Sequence, residues 1–378
     1  MINQSQKEKT APSVSVGADT EQSSQNFTNN IIPHTVKNIN PFFEEFRKEV
    51  YRTMIPSYLE TKTMEEIYDT VYQGKPPIVE NVLYPGCYIL AGSPKLGKSF
   101  MVAQIAYHVS TGTPLWGNST RQGTVVYLAL EDTFERIQTR LYRMFDTKIS
   151  KKLHFSIESN SIENGLINQL NGFITRYTDN RLIIIDTLQK VRENSGDKYS
   201  YSNDYEVITQ LKKLSDQYGI CILIVHHTRK QAADDKFDMI SGTTGLLGAV
   251  DGAFILHKES RADNRAILEI SGRDQPDSKL HLIRNPESLL WELERTETEL
   301  WKAPPEPLLE RVAAFITKDN SSWRGSPTEL VGALGIDMKA NTMSMRLNVN
   351  ASRLFEDYNI VYDNKRTHEG RIITLSLG

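Results

Sequence analysis

A glycine-rich turn at residues 92–99 constrains the fold of this chain more than any other feature. Its sequence, GSPKLGKS, lies between the apolar run CYILA and the helical run FMVAQIAYHV. Glycines let backbone N–H groups approach an anion closely, and a helix that begins at the turn adds partial positive charge. A strand–turn–helix unit with this spacing predicts a phosphate-binding loop for ATP. The predicted nucleotide-binding residues are Gly92, Ser93, Pro94, Lys95, Leu96, Gly97, Lys98, Ser99 and Phe100.

Short apolar runs alternate with amphipathic segments between about residues 78 and 293. The runs read CYILA, TVVYLAL, LHFSI, RLIIID and GICILIV, and DTFERIQTRLYRMF is one of the helical segments between them. Continuous Val, Ile and Leu runs are typical of strands that are buried on both faces. The pattern predicts an α/β fold with a mostly parallel sheet flanked by helices. After about Gly248, closely spaced β-like runs predict antiparallel hairpins at one edge.

Five segments are expected along the chain. They are a flexible tail (1–38), a helical N-terminal extension (39–77), the α/β domain (78–295), a proline-containing linker (296–307) and a small C-terminal domain (308–378). The tail is rich in Ser, Thr, Asn and Gln, and it holds too few large apolar side chains to offset its ordering entropy. In the C-terminal domain, helical segments precede the hairpin pattern IVYDNKRTHEGRIITLSL, which predicts a winged helix-turn-helix.

Composition narrows the class of protein but says little about partners. The 378 residues carry a formal net charge of −3, so the overall charge makes no case for nucleic-acid binding. No apolar stretch approaches the roughly 18 residues needed to cross a bilayer, and the N-terminus lacks the apolar centre of a signal peptide. Cys87 and Cys221 fall inside apolar runs, which favours buried thiols in a reducing compartment. We therefore expect a cytoplasmic protein without membrane partners.

Carboxylates at two strand ends are the candidates for metal binding and general base catalysis. Asp186 ends the run RLIIID, and with Ser99 it could hold Mg²⁺ while Lys98 contacts the β- and γ-phosphates. Thr187 follows Asp186, so no second acid stands there. The run TVVYLALED instead ends in Glu131, which we predict to activate the attacking water. In the alternative interpretation, Glu131 and its neighbour Asp132 cap a helix that starts at Thr133.

The order of these motifs resembles the RecA-like P-loop ATPases, and among them the DnaB-like and plasmid RepA-type replicative helicases. The resemblance covers about residues 78–293, which it implies form a RecA-like P-loop NTPase core. It implies that His227, in ILIVHHTRK, senses the γ-phosphate, whereas His226 is a packed or capping residue. It also implies that Arg273, in LEISGRDQPDSKL, reaches the nucleotide of a neighbouring subunit. The alternative for Arg273 is a solvated arginine at a sheet edge.

Two loops follow predicted strands on one side of the sheet, at residues 192–203 and 228–241. In RecA-like rings such loops line a central channel that holds single-stranded nucleic acid. Cations and aromatic side chains in both loops suit phosphate contacts and base stacking, although the second loop also contains three aspartates and exposed loops often have this composition. The candidate contacts are Lys198, Arg229, Lys230 and Lys236.

The C-terminal domain resembles the winged-helix appendages of mobile-element and phage replication proteins. Its candidate DNA contacts are Arg353 and Arg366, together with Arg346, Lys365 and Arg371. Residues 304–378 carry nine Lys and Arg against nine Asp and Glu, so no strong field is present. Docking to a protein therefore stays open beside DNA binding.

Three functions differ in how well they suit these motifs. The resemblance favours an ATP- and Mg²⁺-dependent replicative DNA helicase, a ring with a hexamer favoured, which acts on single-stranded or forked DNA with a primase or replication-initiation partner. The Ser- and Asn-rich tail and two short helices stand where the DnaB-like family has an N-terminal helical domain. The alternative is a RecA-like, DNA-associated regulatory ATPase without unwinding activity. A small-molecule phosphotransferase would need a lid and an acceptor site with convergent arginines, and the sequence contains no such insertion.

Overall fold

The computed structural model describes residues 59, 61–192, 201–228, 236–240, 244–258, 263–273, 275–298, 306–368 and 370–378. The chain divides into two units, Met1–Tyr68 and Asp69–Gly378. The predicted tail at residues 1–38 lies outside the described residues. Of the predicted helical extension at residues 39–77, the structure describes residues 59 and 61–77, which contain one helix, α1 (Met64–Asp69).

Nine strands form one sheet within the described residues of the second unit. They are β1 (Gly86–Gly92), β2 (Thr124–Ala129), β3 (Leu153–Ser156), β4 (Asn180–Asp186), β5 (Cys221–His227), β6 (Gly252–His257), β7 (Arg265–Gly272), β8 (Ser278–Arg284) and β9 (Trp291–Thr298). The accompanying helices are α2 (Lys98–Thr111), α3 (Phe134–Phe145), α4 (Leu166–Arg176), α5 (Leu188–Val191), α6 (Tyr201–Tyr218) and α7 (Thr244–Ala249), with a 3₁₀ turn at Lys236–Met239.

The sheet order is β3-β2-β4-β5-β1-β6-β7-β8-β9. Strands β1 to β6 all run parallel to one another, whereas β7, β8 and β9 follow as antiparallel strands joined by hairpins. Every residue of β1 and β2 is buried, because helices cover both faces of the parallel part. Met101, Val102 and Leu223 belong to the core on one face, and Leu211 and Ile224 to the core on the other. This architecture confirms the predicted α/β fold with a mostly parallel sheet and antiparallel hairpins at one edge.

The strand directions place the candidate residues at one of two edges. Gly92 pairs with His227, and Ala129 pairs with Asp186, so these strand ends lie together at the carboxyl edge of the parallel strands. Strand β7 runs the other way, because its last residue, Gly272, pairs with Gly252 at the start of β6. Gly252 in turn pairs with Tyr88, four residues before Gly92. Arg273 therefore follows a strand end that lies roughly 13 Å along the strands from Gly92.

A separate apolar core holds the C-terminal elements together. These are α8 (Pro307–Phe315), β10 (Ser322–Gly325), α9 (Pro327–Leu334), α10 (Ala340–Val349), α11 (Ala351–Tyr358), β11 (Ile360–Thr367) and β12 (Gly370–Leu377). The three strands form an antiparallel sheet of order β10-β12-β11. The terminal hairpin is present, as are the helices expected from the segments LLERVAAFITKD, SPTELVGALG and NASRLFEDYN, whereas α10 was not predicted. Its sequence, ANTMSMRLNV, has weak helical periodicity, and the burial of Met343 and Leu347 stabilises it.

Residues 69–75, which we call the strap, connect the C-terminal elements to the large sheet domain. Asp69 pairs with Arg371, and the Gln73 side chain donates a hydrogen bond to the Tyr362 carbonyl at 3.3 Å. Lys75 Nζ donates to the Asp216 carbonyl, on α6, at 2.7 Å. Strand β9 continues to Thr298, into the segment assigned from sequence to the linker. Within the described ranges, none of the helices combines the length and the apolar character that a membrane span requires.

Candidate nucleotide-binding site

Two glycines of the loop at residues 92–99 have backbone environments that exclude other residues. Gly97, the N-cap of α2, has φ 99°, a left-handed conformation that glycine adopts without strain. A Cβ at Gly97 would lie 3.2 Å from Trp291 Cζ2, and a Cβ at Gly92 would lie 2.6 Å from the Leu256 carbonyl oxygen. The loop therefore packs tightly against β6 and the first residue of β9, and its backbone N–H groups can line an anion site at the start of α2.

Lys98 lies at the centre of this site. Its Nζ donates hydrogen bonds to the carbonyl oxygens of Gly92 at 2.7 Å and Ser93 at 3.1 Å. Burial lowers the pKa of Lys98 to about 8, although the nearby carboxylates of Asp186 and Glu131 oppose this shift. The ammonium group is thus largely withdrawn from water and held by the loop itself. A phosphate chain in the loop would offer it stronger, charge-assisted partners.

Asp186 and Ser99 supply the oxygen atoms that could hold Mg²⁺. Asp186 is the buried last residue of β4, and its Oδ2 accepts a hydrogen bond from the Tyr127 hydroxyl at 2.7 Å. Burial raises the pKa of Asp186, while hydrogen bonds from Tyr127 and Ser99 oppose that shift. The described ranges contain no cluster of three His, Cys, Asp or Glu side chains that could hold a metal alone. One carboxylate and one hydroxyl fit Mg²⁺, which takes its remaining ligands from phosphates and water.

Glu131 lies next to this pair, beyond the end of β2. The Thr187 hydroxyl donates to Glu131 Oε1 at 3.4 Å, and the Glu131 side chain is exposed to solvent. An exposed carboxylate at the carboxyl edge can accept a proton from a water molecule, provided that a γ-phosphate lies within reach.

The capping alternative for Glu131 and Asp132 is wrong. Helix α3 begins at Phe134, and its N-cap is Thr133, whose side chain accepts a hydrogen bond from the Arg136 N–H. Asp132 instead pairs with Arg140 at 2.7 Å and with Arg136 at 3.2 Å. The two acids therefore differ in their surroundings, because Asp132 is held by arginines while Glu131 faces the site.

His227 completes the group at the carboxyl edge. It is the last residue of β5, and its Nδ1 lies 3.4 Å from Lys98 Nζ. Burial and the Lys98 charge lower the pKa of His227, so its imidazole is neutral at pH 7. His226, the preceding residue, is buried among core side chains. The structure thus brings together Lys98, Ser99, Glu131, Asp186 and His227.

Sequence reasoning missed an aromatic and guanidinium cluster beside the loop. The Arg284 guanidinium lies 4.3 Å from the centre of the Phe100 ring and 5.8 Å from that of Trp291. Arg140 lies 5.0 Å from the same Phe100 ring. Burial, followed by the charge of Arg143, lowers the pKa of Arg284. An arginine at the end of a strand is a common feature, and the sequence does not show that β8 ends at the carboxyl edge beside the loop.

The remaining candidates do not join the site. Arg273 donates from Nη2 to the Gly248 carbonyl at 2.6 Å, at the edge opposite the loop. Lys236 bonds Glu269 at 2.7 Å, and its Nζ lies 2.9 Å from His257 Nε2. Arg353 pairs with Asp357 at 3.7 Å, whereas the Arg366 side chain is exposed. Lys198, Arg229 and Lys230 lie outside the described residues.

The fold and the site together define an α/β domain with a phosphate-binding loop. Residues 67–233, less than half of the chain, match the family model of an AAA domain. Two curated relatives, both DNA repair protein RadA from strains of Helicobacter pylori, are 25% identical over 239 residues and 24% identical over 242 residues. Each match covers 62% of this chain but 47% of the relative, so the chain spans about half the length of the curated relatives it matches.

Two solved structures are also similar to the chain. One is described as an ATPase domain and is 12% identical, with a TM-score of 0.47 over 67% of this chain and 99% of that one. The other, a DnaB-like replicative helicase described with its interactions with primase, is 14% identical, with a TM-score of 0.49 over 72% of this chain and 75% of that one.

Proposed function

We propose that the protein is an ATP-dependent DNA motor of the replicative helicase type, which acts on single-stranded or forked DNA as a ring. The observation that carries this proposal is the convergence of Lys98, Asp186, Glu131 and His227 at one edge of the sheet. A group that combines a phosphate-binding cation, a metal-binding acid and a separate candidate base suits hydrolysis better than nucleotide binding alone.

In the proposed reaction, the loop binds the phosphates of ATP, and Ser99 and Asp186 hold Mg²⁺. The ion neutralises charge on the β- and γ-phosphates when it is bound. Lys98 leaves the loop carbonyls and contacts the γ-phosphate. Glu131 orients the attacking water and accepts its proton. His227, next to Lys98, is in reach to report whether the γ-phosphate is present.

Assembly completes the site in this proposal. The terminal phosphoryl group gains negative charge during hydrolysis, and an arginine commonly stabilises it. Arg273 follows a strand that ends at the edge away from its own loop, so it is suited to serve an adjoining copy and not its own nucleotide. A closed ring, with a hexamer favoured, gives every copy such a neighbour.

DNA is the proposed track, contacted by the loops at residues 192–203 and 228–241. These segments come after β4 and β5 in the chain, and both strands end at the carboxyl edge, where ATP is proposed to bind. The C-terminal elements are proposed to form a winged helix that binds duplex DNA or a replication protein such as a primase. The contacts that Lys236 makes with Glu269 argue for Arg229 and Lys230 as the leading cations of the second loop.

A DNA-associated regulatory ATPase without unwinding activity is the second candidate. The curated relatives are named DNA repair proteins, which favours an association with DNA but not strand separation. The two candidates share the nucleotide site and differ in whether hydrolysis moves the protein along a strand.

Strand displacement on a forked duplex tests the proposal. The wild-type protein is incubated with labelled forked DNA, Mg²⁺ and ATP, and Lys98→Ala serves as the matched inactive control. Unwinding that needs ATP and is absent in Lys98→Ala supports the motor. ATPase activity that DNA stimulates, without displacement on forks of either polarity, would favour the regulatory ATPase.

A further inference from the structure

We infer that Tyr127 is a positioning residue that orients the Asp186 carboxylate for Mg²⁺. This inference rests on the proposed nucleotide site and adds to it a residue that the motifs do not contain. The two side chains meet because β2 and β4 are parallel neighbours, with Tyr127 paired to Ile184 and Ala129 paired to Asp186. Tyr127 and Asp186 therefore lie on the same face of the sheet, two residues apart along adjacent strands.

The contact between them is short and shielded from water. The Tyr127 hydroxyl donates to Asp186 Oδ2 at 2.7 Å, and the two residues are 1% and 7% exposed. The Tyr127 ring is held in the core, 5.4 Å from the ring of Phe155. Because the ring cannot swing away, the position of Oδ2 is fixed by packing in the strand next to it.

A tyrosine in this position needs an explanation. The other residues of β2 are a threonine at its start, two valines, a leucine and an alanine, all of them buried. A phenylalanine would fill the same volume, whereas a buried hydroxyl without a partner costs roughly 1–3 kcal/mol. The hydroxyl is therefore retained at a site where its one partner in the described contacts is the predicted metal-binding acid.

The neutral character of the donor matters for metal binding. An arginine or lysine at this point would also orient the carboxylate, but it would neutralise the charge that attracts Mg²⁺. The phenol donates to Oδ2 and leaves the negative charge of Asp186 in place to attract the ion. Partners of this kind fix the geometry of ligands and typically change metal affinity by roughly 10- to 100-fold.

Tyr127→Phe tests the inference because it removes the hydroxyl and keeps the ring. Binding of an ATP analogue with a fluorescent methylanthraniloyl group is measured across a Mg²⁺ titration and again in excess EDTA. We expect the Mg²⁺ concentration at half-saturation to rise about 10-fold or more, with unchanged binding in EDTA. Binding is the readout, so the result does not depend on turnover.

Tyr362→Phe is the matched control. The Tyr362 hydroxyl is also buried and donates to Asn348 Oδ1 at 2.9 Å, but in the C-terminal core. This variant loses a similar hydrogen bond and should keep the Mg²⁺ half-saturation of the wild type. A value for Tyr127→Phe within twofold of the wild type overturns the inference, as does an equal rise in both variants.

Asp186→Asn separates this inference from the proposed function. If Asp186→Asn abolishes the Mg²⁺ dependence of binding while Tyr127→Phe leaves it intact, the role of Tyr127 is overturned and the metal site stands. If Asp186→Asn itself leaves the Mg²⁺ dependence intact, the metal site and the role of Tyr127 both fall.

Discussion

The core around the candidate nucleotide-binding site and the C-terminal elements both bury polar side chains, but in different arrangements. In the core, Lys98 and Asp186 are buried, and both lie at the carboxyl edge of the parallel strands. In the C-terminal elements, the buried Asn348 accepts hydrogen bonds from Tyr362 and Asn364. The first group leaves binding capacity for a ligand, whereas the second is satisfied within the fold.

This difference explains why the sequence motifs predict a reaction site in the core around Lys98 and Asp186 but not in the C-terminal elements. A buried charge costs free energy unless a partner compensates it, and a bound phosphate chain with its metal would supply that partner for the core. The charges of the C-terminal elements are balanced in number, and some of them are paired on the surface, as in Arg346 with Glu306 and Arg353 with Asp357. Surface pairs contribute roughly 0–1 kcal/mol each and carry little functional information.

Lys98→Ala should have the largest effect, because it removes the central cation of the core. ATP binding is expected to fall by more than about 100-fold, the size of the electrostatic contribution at such sites. Hydrolysis should be lost altogether, because binding and stabilisation of the transferring phosphoryl group disappear together. The melting temperature should stay near that of the wild type. Lys148→Ala, at an exposed position after α3, removes a lysine outside the site and is the control that should retain activity. Equal losses in both variants would contradict a specific role for Lys98.

Arg273→Ala should have the next largest effect, since an arginine acting on a neighbour's phosphate contributes about 10³-fold or more. Nucleotide binding should persist. When Arg273→Ala and Lys98→Ala subunits are mixed, some interfaces regain an intact loop and an intact arginine, so part of the ATPase activity should return. Mixed assemblies that stay inactive, with assembly verified by light scattering, would count against action between subunits.

Asn348→Leu should act on stability and not on chemistry. It leaves the Tyr362 hydroxyl without its buried acceptor, which costs roughly 1–3 kcal/mol. We expect the C-terminal elements to unfold at a lower denaturant concentration, as measured by amide hydrogen exchange. The ATPase activity per folded molecule should be unchanged. Asn341→Leu, at an exposed position of α10, is the control. A large loss of turnover in Asn348→Leu would contradict the claim that the buried polar group at Asn348 serves stability alone.

The smallest effect is expected from the tip of the β11–β12 hairpin. Changing Lys365 and Arg366 to alanine should weaken duplex DNA binding several-fold and lower the salt dependence of binding by about two ions. Arg311→Ala combined with Lys318→Ala removes the same charge elsewhere in these elements. Equal weakening by both pairs would indicate general electrostatics, and no weakening by either would favour a protein partner.

The sequence predicted those parts of the site that depend on strand ends. Asp186, Glu131 and His227 each follow an apolar run, and parallel strands bring such ends to one edge without further information. Tyr127 and Arg284 could not be found in this way. Their roles depend on which strands are neighbours and on which face a side chain lies, and those facts appear only when the sheet order is known.

Some helix boundaries, one helix and a long-range ion pair also could not be predicted from the sequence alone. Thr133, and not an acid, caps α3, because short polar side chains compete for that position on local geometry. Helix α10 escaped prediction because tertiary burial of Met343 and Leu347 outweighs its weak propensity. The pairing of Arg371 with Asp69 of the strap joins residues about 300 positions apart, which no local pattern reports.

Glu131→Gln tests the central claim most directly, because it replaces the candidate base and keeps the shape of the side chain. The measurement pairs equilibrium binding of Mg²⁺ and ATP with single-turnover hydrolysis in the same preparation. The account predicts binding close to that of the wild type and hydrolysis reduced by about 10²–10⁴-fold. Hydrolysis at the wild-type rate, with ATP bound equally well, would contradict it and remove Glu131 from the reaction.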